Sequence, residues 1–508
     1  SGLHPSREDH SGRSRSAGDT PRRSSYWELR ARLDDVNDFL RSVSPADPKD
    51  ELGRFPVWDT EAVDEAVSRA RAAFPAWRDA GFEARAAAIR RFRDLVKTRR
   101  EELAELIARE VGKALWEARA EADLLPAKAD LTLTEGMRFT QPMRGAENAW
   151  ASFHPRGVLA VLGPFDFPAH LPSGHIIPAL ATGNAIVFKP SEMAPAVGDF
   201  LARLWRDAGL PLGVLEMVQG RAETGHQLAL HPGVDGILFS GSYAVGRSLQ
   251  EELLDQPAKI LALEMGGKNA MIVLDDAELD LAVSEAAISI CATTGQRCSS
   301  LSRIFVENSR MEEFAARLSR VLAGVQIGPP LEPDVFMGPL ISRAAFEKVM
   351  RYRGQAAAAG GERIFRGEMD RLAPYIAPSL VRFQKTEQSH PYQRNEIFGP
   401  EAALYPVAGL DAAIAAVNDA DYGLAASVMS RDRANFEHCI GRIRTGVLNW
   451  NRGTIGASGA LPFGGTGRSG NDRPAGILST VYCTYPQAHL ENEGGFDPEE
   501  LPRGMPRP

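Results

Sequence analysis

The spacing of apolar side chains changes character near residue 140. Between Thr60 and about Phe139 apolar positions recur with a period near 3.6: Ala62, Val63, Ala66, Ala70 and Phe74, then Ile89, Phe92, Val96, Leu103 and Ile107. That spacing predicts a run of amphipathic helices. Beyond it come short, mostly apolar runs with Gly or Pro close by: Gly157–Leu162, Ala185–Phe188, Val214–Val218 and Gly236–Phe239. Such runs suit strands buried on both faces, and the helical stretches between them predict βαβ crossovers and a parallel sheet. Asn269–Leu274 begins a second series, reaching to about Gly476. The expected fold class is therefore α/β, in two units. Upstream, Tyr26–Val43 reads as a short amphipathic helix and Ser44–Pro56, with its three prolines, as an extended loop. Residues 1–25 are rich in Ser, Arg and Gly with almost no large apolar side chains, the composition of a disordered tail.

Composition narrows the function classes. The chain has 508 residues, 44% hydrophobic and 24% charged, the profile of a soluble globular protein with two or more domains. Lys and Arg total 58 against 66 Asp and Glu, a net charge of −8. That acidity argues against nucleic acid or an anionic membrane as partner. No apolar run reaches the roughly 18 residues that span a bilayer. The first residues lack the apolar core of a secretory signal, so the cytoplasm is the expected location. Four cysteines without a Cys-x-x-Cys and ten histidines without a His-Glu-x-x-His suggest no metal centre.

Two stretches carry reactive side chains. Cys298 ends Gly295-Gln-Arg-Cys298, and Glu264 lies in Leu263-Glu-Met-Gly-Gly267. Thiolate chemistry needs a sulfur nucleophile and a separate base, and Arg297 beside the sulfur would favour the thiolate. Singly, the same residues also read as a small buried hydrophobe and a surface carboxylate. Phe239-Ser-Gly-Ser-Tyr-Ala-Val-Gly246 turns from strand to helix, where free N–H groups suit a phosphate; a plain turn fits equally. Lys189 and Glu192, in Phe188-Lys-Pro-Ser-Glu192, follow a strand, where ligands collect. They suit a ribose, and a carboxylate there would repel a 2′-phosphate, favouring NAD. A solvated Lys and a helix-starting Glu explain them too. Glu396 and Phe398 read as a second ribose grip with a nicotinamide-edge contact, or as an ordinary turn with one core Phe. Gly163-Pro-Phe-Asp-Phe-Pro168 is a rigid turn after a strand.

Together, from about residue 60 to about 490, these stretches resemble the aldehyde dehydrogenase superfamily. Leu263–Gly267 matches its base motif and Gly295–Cys298 its nucleophile motif. Gly241, Ser242, Tyr243, Ala244, Val245 and Gly246 match its dinucleotide turn, Lys189–Glu192 its adenosine-ribose motif, and Glu396–Phe398 its nicotinamide-ribose motif. Pro462–Gly465 matches its late loop. Phe167–His175, Gly446–Asn451 and Ser469–Pro474 are most similar to the subfamily acting on N-succinylglutamate 5-semialdehyde. The resemblance implies a Rossmann-type cofactor domain (26–136 and 154–264), an α/β catalytic domain (265–476), a small oligomerisation arm (137–153 and 477–492) and a tail (493–508). The arm near Met137–Phe153 would pair with a late strand, Thr480–Tyr485, in a homodimer or homotetramer. The chain before Ser44 lacks the family's usual opening strands.

The implied chemistry is NAD-dependent oxidation of a small aldehyde to an acid. Cys298 adds to the aldehyde, the adduct is oxidised to a thioester, and Glu264 activates water to release the acid. The family places an Asn amide at the oxyanion, and here that position is Asp166. An ionised Asp offers no donor, so three readings stand: a protonated Asp166 that donates, a compensating donor elsewhere, or a weak or structural family member. His170 and Arg297 are further substrate candidates, and Arg452 a candidate clamp for substrate carboxylates, although Arg452 also fits a solvated loop. A CoA-acylating enzyme is the alternative within the fold, and the retained Glu264 argues against it.

Overall fold

The computed structural model describes residues 38–145, 148–372, 374–387, 389–492, 494–495, 499 and 501–507. The expectations for the 1–25 tail and for a helix from Tyr26 fall, up to residue 37, outside these residues.

The chain opens with a hairpin, β1 (Phe39–Val43) antiparallel to β2 (Glu51–Pro56). This corrects both the helix expected to run to Val43 and the loop expected over 44–56, and it places one strand, β1, before Ser44. The reason is tertiary: Leu40 and Phe55 are too few to announce a strand, yet they pair across the hairpin and bury against Ala196. Arg41 and Arg54 both bind Glu51, at 2.6 and 3.0 Å.

Four helices follow, α1 (Thr60–Asp79), α2 (Phe82–Thr98), α3 (Arg100–Val111) and α4 (Leu115–Leu133), where the 3.6 period predicts them. Asp59 starts α1 by accepting the Ala62 N–H at 2.9 Å. Three strands frame the next crossings: β3 (Met143–Arg144), β4 (Ala149–Pro155) and β5 (Val158–Leu162). Then alternate α5 (His170–Ala181), β6 (Ala185–Lys189), α6 (Pro195–Asp207), β7 (Leu215–Met217), α7 (Ala222–Leu230), β8 (Gly236–Gly241), α8 (Tyr243–Glu252) and β9 (Ile260–Met265). The strands form an all-parallel sheet in the order β7-β6-β5-β8-β9. β5, β6 and nearly all of β8 are fully buried, which explains their unbroken apolar runs. The winding reverses beside β5, so the crevice beyond the carboxyl ends of β5 and β8 is where a ligand collects.

A second sheet begins with β10 (Asn269–Val273), α9 (Leu279–Cys291), β11 (Leu301–Glu307), α10 (Met311–Ala323) and α11 (Arg343–Ala358). It continues through β12 (Glu362–Arg366), β13 (Ser379–Arg382), β14 (Glu401–Val407), β15 (Ala425–Met429) and β16 (Val447–Trp450). Its order is β12-β13-β14-β11-β10-β15-β16, parallel except for β12. One core packs around the first sheet and two further clusters cover the second.

The arm is a three-stranded sheet in which β17 (Thr484–Leu490) pairs antiparallel with β4, and β4 with β3. The late strand was expected over Thr480–Tyr485. Ser479–Tyr482 is instead a helical turn, because Thr480 donates to the Gly136 carbonyl at 2.7 Å and Tyr482 turns inward to His175 at 2.8 Å. No helix among the described residues is long and apolar enough to cross a membrane.

Candidate active site

A cleft of about 760 Å³ opens at the carboxyl end of the first sheet and reaches the second. Its cofactor-sized half is built by two strand ends. At the end of β6, Lys189 Nζ lies 3.6 Å from Glu192 Oε2 and donates to the Pro190 carbonyl at 3.1 Å. At the end of β8, Gly241 leads into Ser242, which caps α8 by accepting the Val245 N–H. No acidic residue occupies the first turn of α8, so its amide end faces the cleft with a positive bias suited to a phosphate. Gly246 lets α8 pack on the sheet, since a Cβ there would overlap the Met265 sulfur. The donor set therefore fits a dinucleotide.

The other half carries the reactive groups. Before Cys298 the backbone makes a turn with Thr293, Thr294 and Gly295 all at positive φ, from 51° to 67°. Two non-glycine residues held in that region are costly, by about 1 kcal/mol or more each, and the surroundings hold them. Glu117 Oε2 accepts the Thr293 N–H at 2.9 Å, and Thr294 Oγ1 donates to the Gly338 carbonyl at 2.9 Å. After the sulfur, Asn269 Nδ2 donates to the carbonyls of Cys298 and Ser300 at 2.7 and 2.8 Å. Across the cleft, Glu396 Oε1 accepts the Gly267 N–H at 2.9 Å, and a Cβ on Gly266 would overlap the same carboxylate. Phe398, two residues on, has φ 60° and meets Phe165 edge-on at 5.8 Å.

Glu264 sits in β9, the edge strand, which the late loop covers through a bridge to Gly470. Its Oε1 accepts the Ala475 N–H at 3.2 Å, while its buried Oε2 has no hydrogen-bond partner among the described residues. Burial without a countercharge pushes this carboxyl well above its ordinary range. Burial likewise raises Asp166 to about 6, opposed by Lys113, and Glu396 to about 7. The Cys298 thiol is also pushed well up, by burial first and then by Asp166, Glu396 and Glu264. Arg297 acts against this as the smallest contribution. Arg297 thus favours the thiolate in the direction expected of it, but burial and the three carboxyls outweigh it, and its guanidinium is shared with the Glu117 carboxylate.

Asp166, Lys189, Glu192, Gly241, Ser242, Ala244, Val245, Glu264, Cys298, Glu396 and Phe398 all line this one cleft. Tyr243 and Gly246 do not; Tyr243 packs near Tyr422 and under the Arg468 guanidinium. The three substrate candidates also lie outside its lining: His170 with a buried Nδ1 that has no hydrogen-bond partner among the described residues, Arg297 in its ion pair, and Arg452 exposed on the loop after β16. Residues that sequence reasoning passed over are Asn269, Glu117 and Lys348, the last lining the cleft beside Glu396. Asn269 follows the Leu-Glu-Met-Gly-Gly run almost directly, a signal that was available; Glu117 and Lys348 lie on remote helices and gave none.

Residues 33–487 match the aldehyde dehydrogenase family. An N-succinylglutamate 5-semialdehyde dehydrogenase of Chromobacterium violaceum is 40% identical over 479 residues, 92% of this chain and 96% of the relative. Among solved structures, an NAD-dependent aldehyde dehydrogenase from Sinorhizobium meliloti superposes with a TM-score of 0.87 at 30% identity, covering 92% of this chain and 94% of that one. A 1-pyrroline-5-carboxylate dehydrogenase from Thermus with bound NAD gives a TM-score of 0.85 at 28% identity, covering 89% and 90%.

Proposed function

The chain belongs to the aldehyde dehydrogenase family, and from that premise we propose that it oxidises N-succinyl-L-glutamate 5-semialdehyde to N-succinyl-L-glutamate with NAD. The enzyme class follows from the family: this is a dehydrogenase acting on aldehydes, with a nicotinamide dinucleotide as oxidant. The substrate reading rests on the 40% identity to relatives of that name. The observation that carries the site is the convergence of Cys298, Glu264 and the amide end of α8 on one cleft.

In this reading Cys298 Sγ forms a bond to the aldehyde carbon as its proton leaves. That proton passes to solvent through the open cleft, and Glu264, with its free Oε2, is kept in its ionised form for the later step. The oxygen of the adduct gains negative charge, and Asp166 in its protonated form donates a hydrogen bond to it. The dinucleotide, when bound, supplies the hydride acceptor. A thioester on Cys298 remains, and Glu264 takes a proton from the water that cleaves it. Lys189 and Glu192 hold the adenosine ribose, and Glu192 disfavours a 2′-phosphate, hence NAD over NADP. Glu396 and Phe398 hold the nicotinamide ribose and ring edge. We assign cofactor binding to 26–136 and 154–264 and catalysis to 265–476. The edge strand β17, with exposed Tyr485 and Leu490, supports a homodimer or homotetramer.

Steady-state NADH formation across mono- and dicarboxylic semialdehydes tests the substrate. The expected result is the highest kcat/KM with the N-succinylated dicarboxylic semialdehyde; equal or better turnover of simple aliphatic aldehydes refutes it.

A further inference from the structure

Four charges beside the cleft, three of them buried and Arg297 nearly so, take no part in the chemistry proposed above. Helix α4 carries Glu117 and Glu121 one turn apart, both about as buried as the core leucines. Lys113, just before the helix, meets Glu121 Oε2 at 2.6 Å with neither side chain exposed at all. Glu121 Oε1 accepts the N–H groups of Ala169 and His170 at 2.9 and 3.0 Å. It therefore anchors the turn that carries Asp166 at the entry to α5. One turn away, Glu117 accepts from the Thr293 N–H and Oγ1, at 2.9 and 2.8 Å, and pairs with Arg297. It anchors the turn that carries Cys298.

The two halves meet on one ring. Lys113 Nζ lies 3.7 Å from the centroid of Phe167, the residue after Asp166, and Arg297 Cζ lies 4.9 Å from it. The Asp166 turn hangs from the first sheet, after β5. The Cys298 turn precedes β11 of the second sheet. Neither turn's own sequence fixes its distance from the other. A helix does, because residues four apart project from the same face at a set spacing. Lys113, Glu121 and Glu117 are bound out of reach of solvent, and Arg297 is only 14% exposed, so the frame leaves its position only at a high cost.

We propose that Glu117, Glu121, Lys113 and Arg297, joined through the Phe167 ring, form a positioning frame that sets the geometry between the Cys298 thiol and the Asp166 carboxyl. The proposal rests on Cys298 being the nucleophile. Displacing reacting groups by about an ångström costs up to roughly 100-fold in rate. Phe167→Leu, which removes the shared ring and leaves both ion pairs, is therefore expected to lower kcat about 10- to 100-fold while NAD affinity stays unchanged. Phe167→Tyr, which keeps the ring, restores most of that rate.

A second readout separates positioning from mere packing. The charged and titratable groups facing Asp166 are Lys113, Glu121, Cys298 and Glu396. Lys113→Met removes a cation and moves the inflection of kcat near pH 6 upward; Glu121→Gln removes an anion and moves it downward. Opposite shifts support the frame, whereas shifts in one direction or none overturn it. Phe167→Leu at full kcat also overturns it, and decides alone if the charge variants fail to fold. Cys298→Ser serves as the control. If it is inactive while Phe167→Leu keeps full kcat, the frame fails by itself; if it still forms NADH, the nucleophile reading fails and takes the frame with it.

Discussion

Replacing Asp166 by Asn tests the electrostatics of the cleft most directly. Asp166 is only 4% exposed, and burial raises its carboxyl to about 6 despite Lys113. With that value about one carboxyl in ten keeps its proton at pH 7, and about nine in ten at pH 5. If the protonated form donates to the aldehyde oxygen, an amide that donates at every pH outperforms it increasingly as pH rises. The ratio of the variant's kcat to the wild type's should climb from near one at pH 5 to about ten at pH 7. Taking the ratio cancels the titration of Glu264, whose shift comes from burial and not from Asp166. Stability should move with it. A carboxyl whose folded pKa is raised from 3.8 to about 6 weakens the fold progressively across that interval and fully above it, by about 3 kcal/mol. The Asn variant should therefore melt higher than wild type at pH 8, with the advantage gone near pH 4. NADH absorbance in a pH series and thermal melts of the two proteins measure both. A kcat ratio that is flat, or below one at every pH, refutes the donor role and makes the carboxylate itself the required form.

Three further perturbations follow from the same geometry. Glu264→Gln should retain a burst of about one NADH per active site and lose about 100-fold or more in steady-state turnover, because only thioester hydrolysis then lacks its base; rapid-mixing absorbance checks this, and an absent burst counts against it. Asn269→Ala strips the side-chain amide partner from the Cys298 and Ser300 carbonyls and the Ala425 N–H. At about 1–3 kcal/mol for each buried group left unpaired, the variant should melt lower, and Cys298 alkylation should lose its wild-type rate. Glu192→Gln should lower the preference for NAD over NADP by about tenfold, since one close charge repulsion in a solvated site is worth about 1 kcal/mol or more; unchanged kcat/KM ratios for the two dinucleotides would remove Glu192 from that role.

Local sequence determined the elements whose side chains repeat with a clear period or whose burial is complete. The helices α1 to α3 follow from a 3.6 spacing held over many turns, and β5, β6 and β8 from apolar runs with no polar face to hide. Short motifs likewise marked Cys298, Glu264 and the strand-to-helix turn at Gly241, because close backbone approach demands glycine wherever a Cβ would strike a neighbour, as at Gly266 against Glu396. Tertiary structure decided the rest. The β1–β2 hairpin exists because Leu40 and Phe55 find each other and Ala196, not because their own segments announce strands. The charge state of the site is equally non-local. Arg297 is adjacent to Cys298 in sequence, yet its guanidinium is shared with Glu117, far away on α4, and burial first, then three carboxyls from other elements, outweigh it at the thiol. Adjacency along a chain fixes which groups are near; burial and the partners brought by the fold fix what those groups are charged to do.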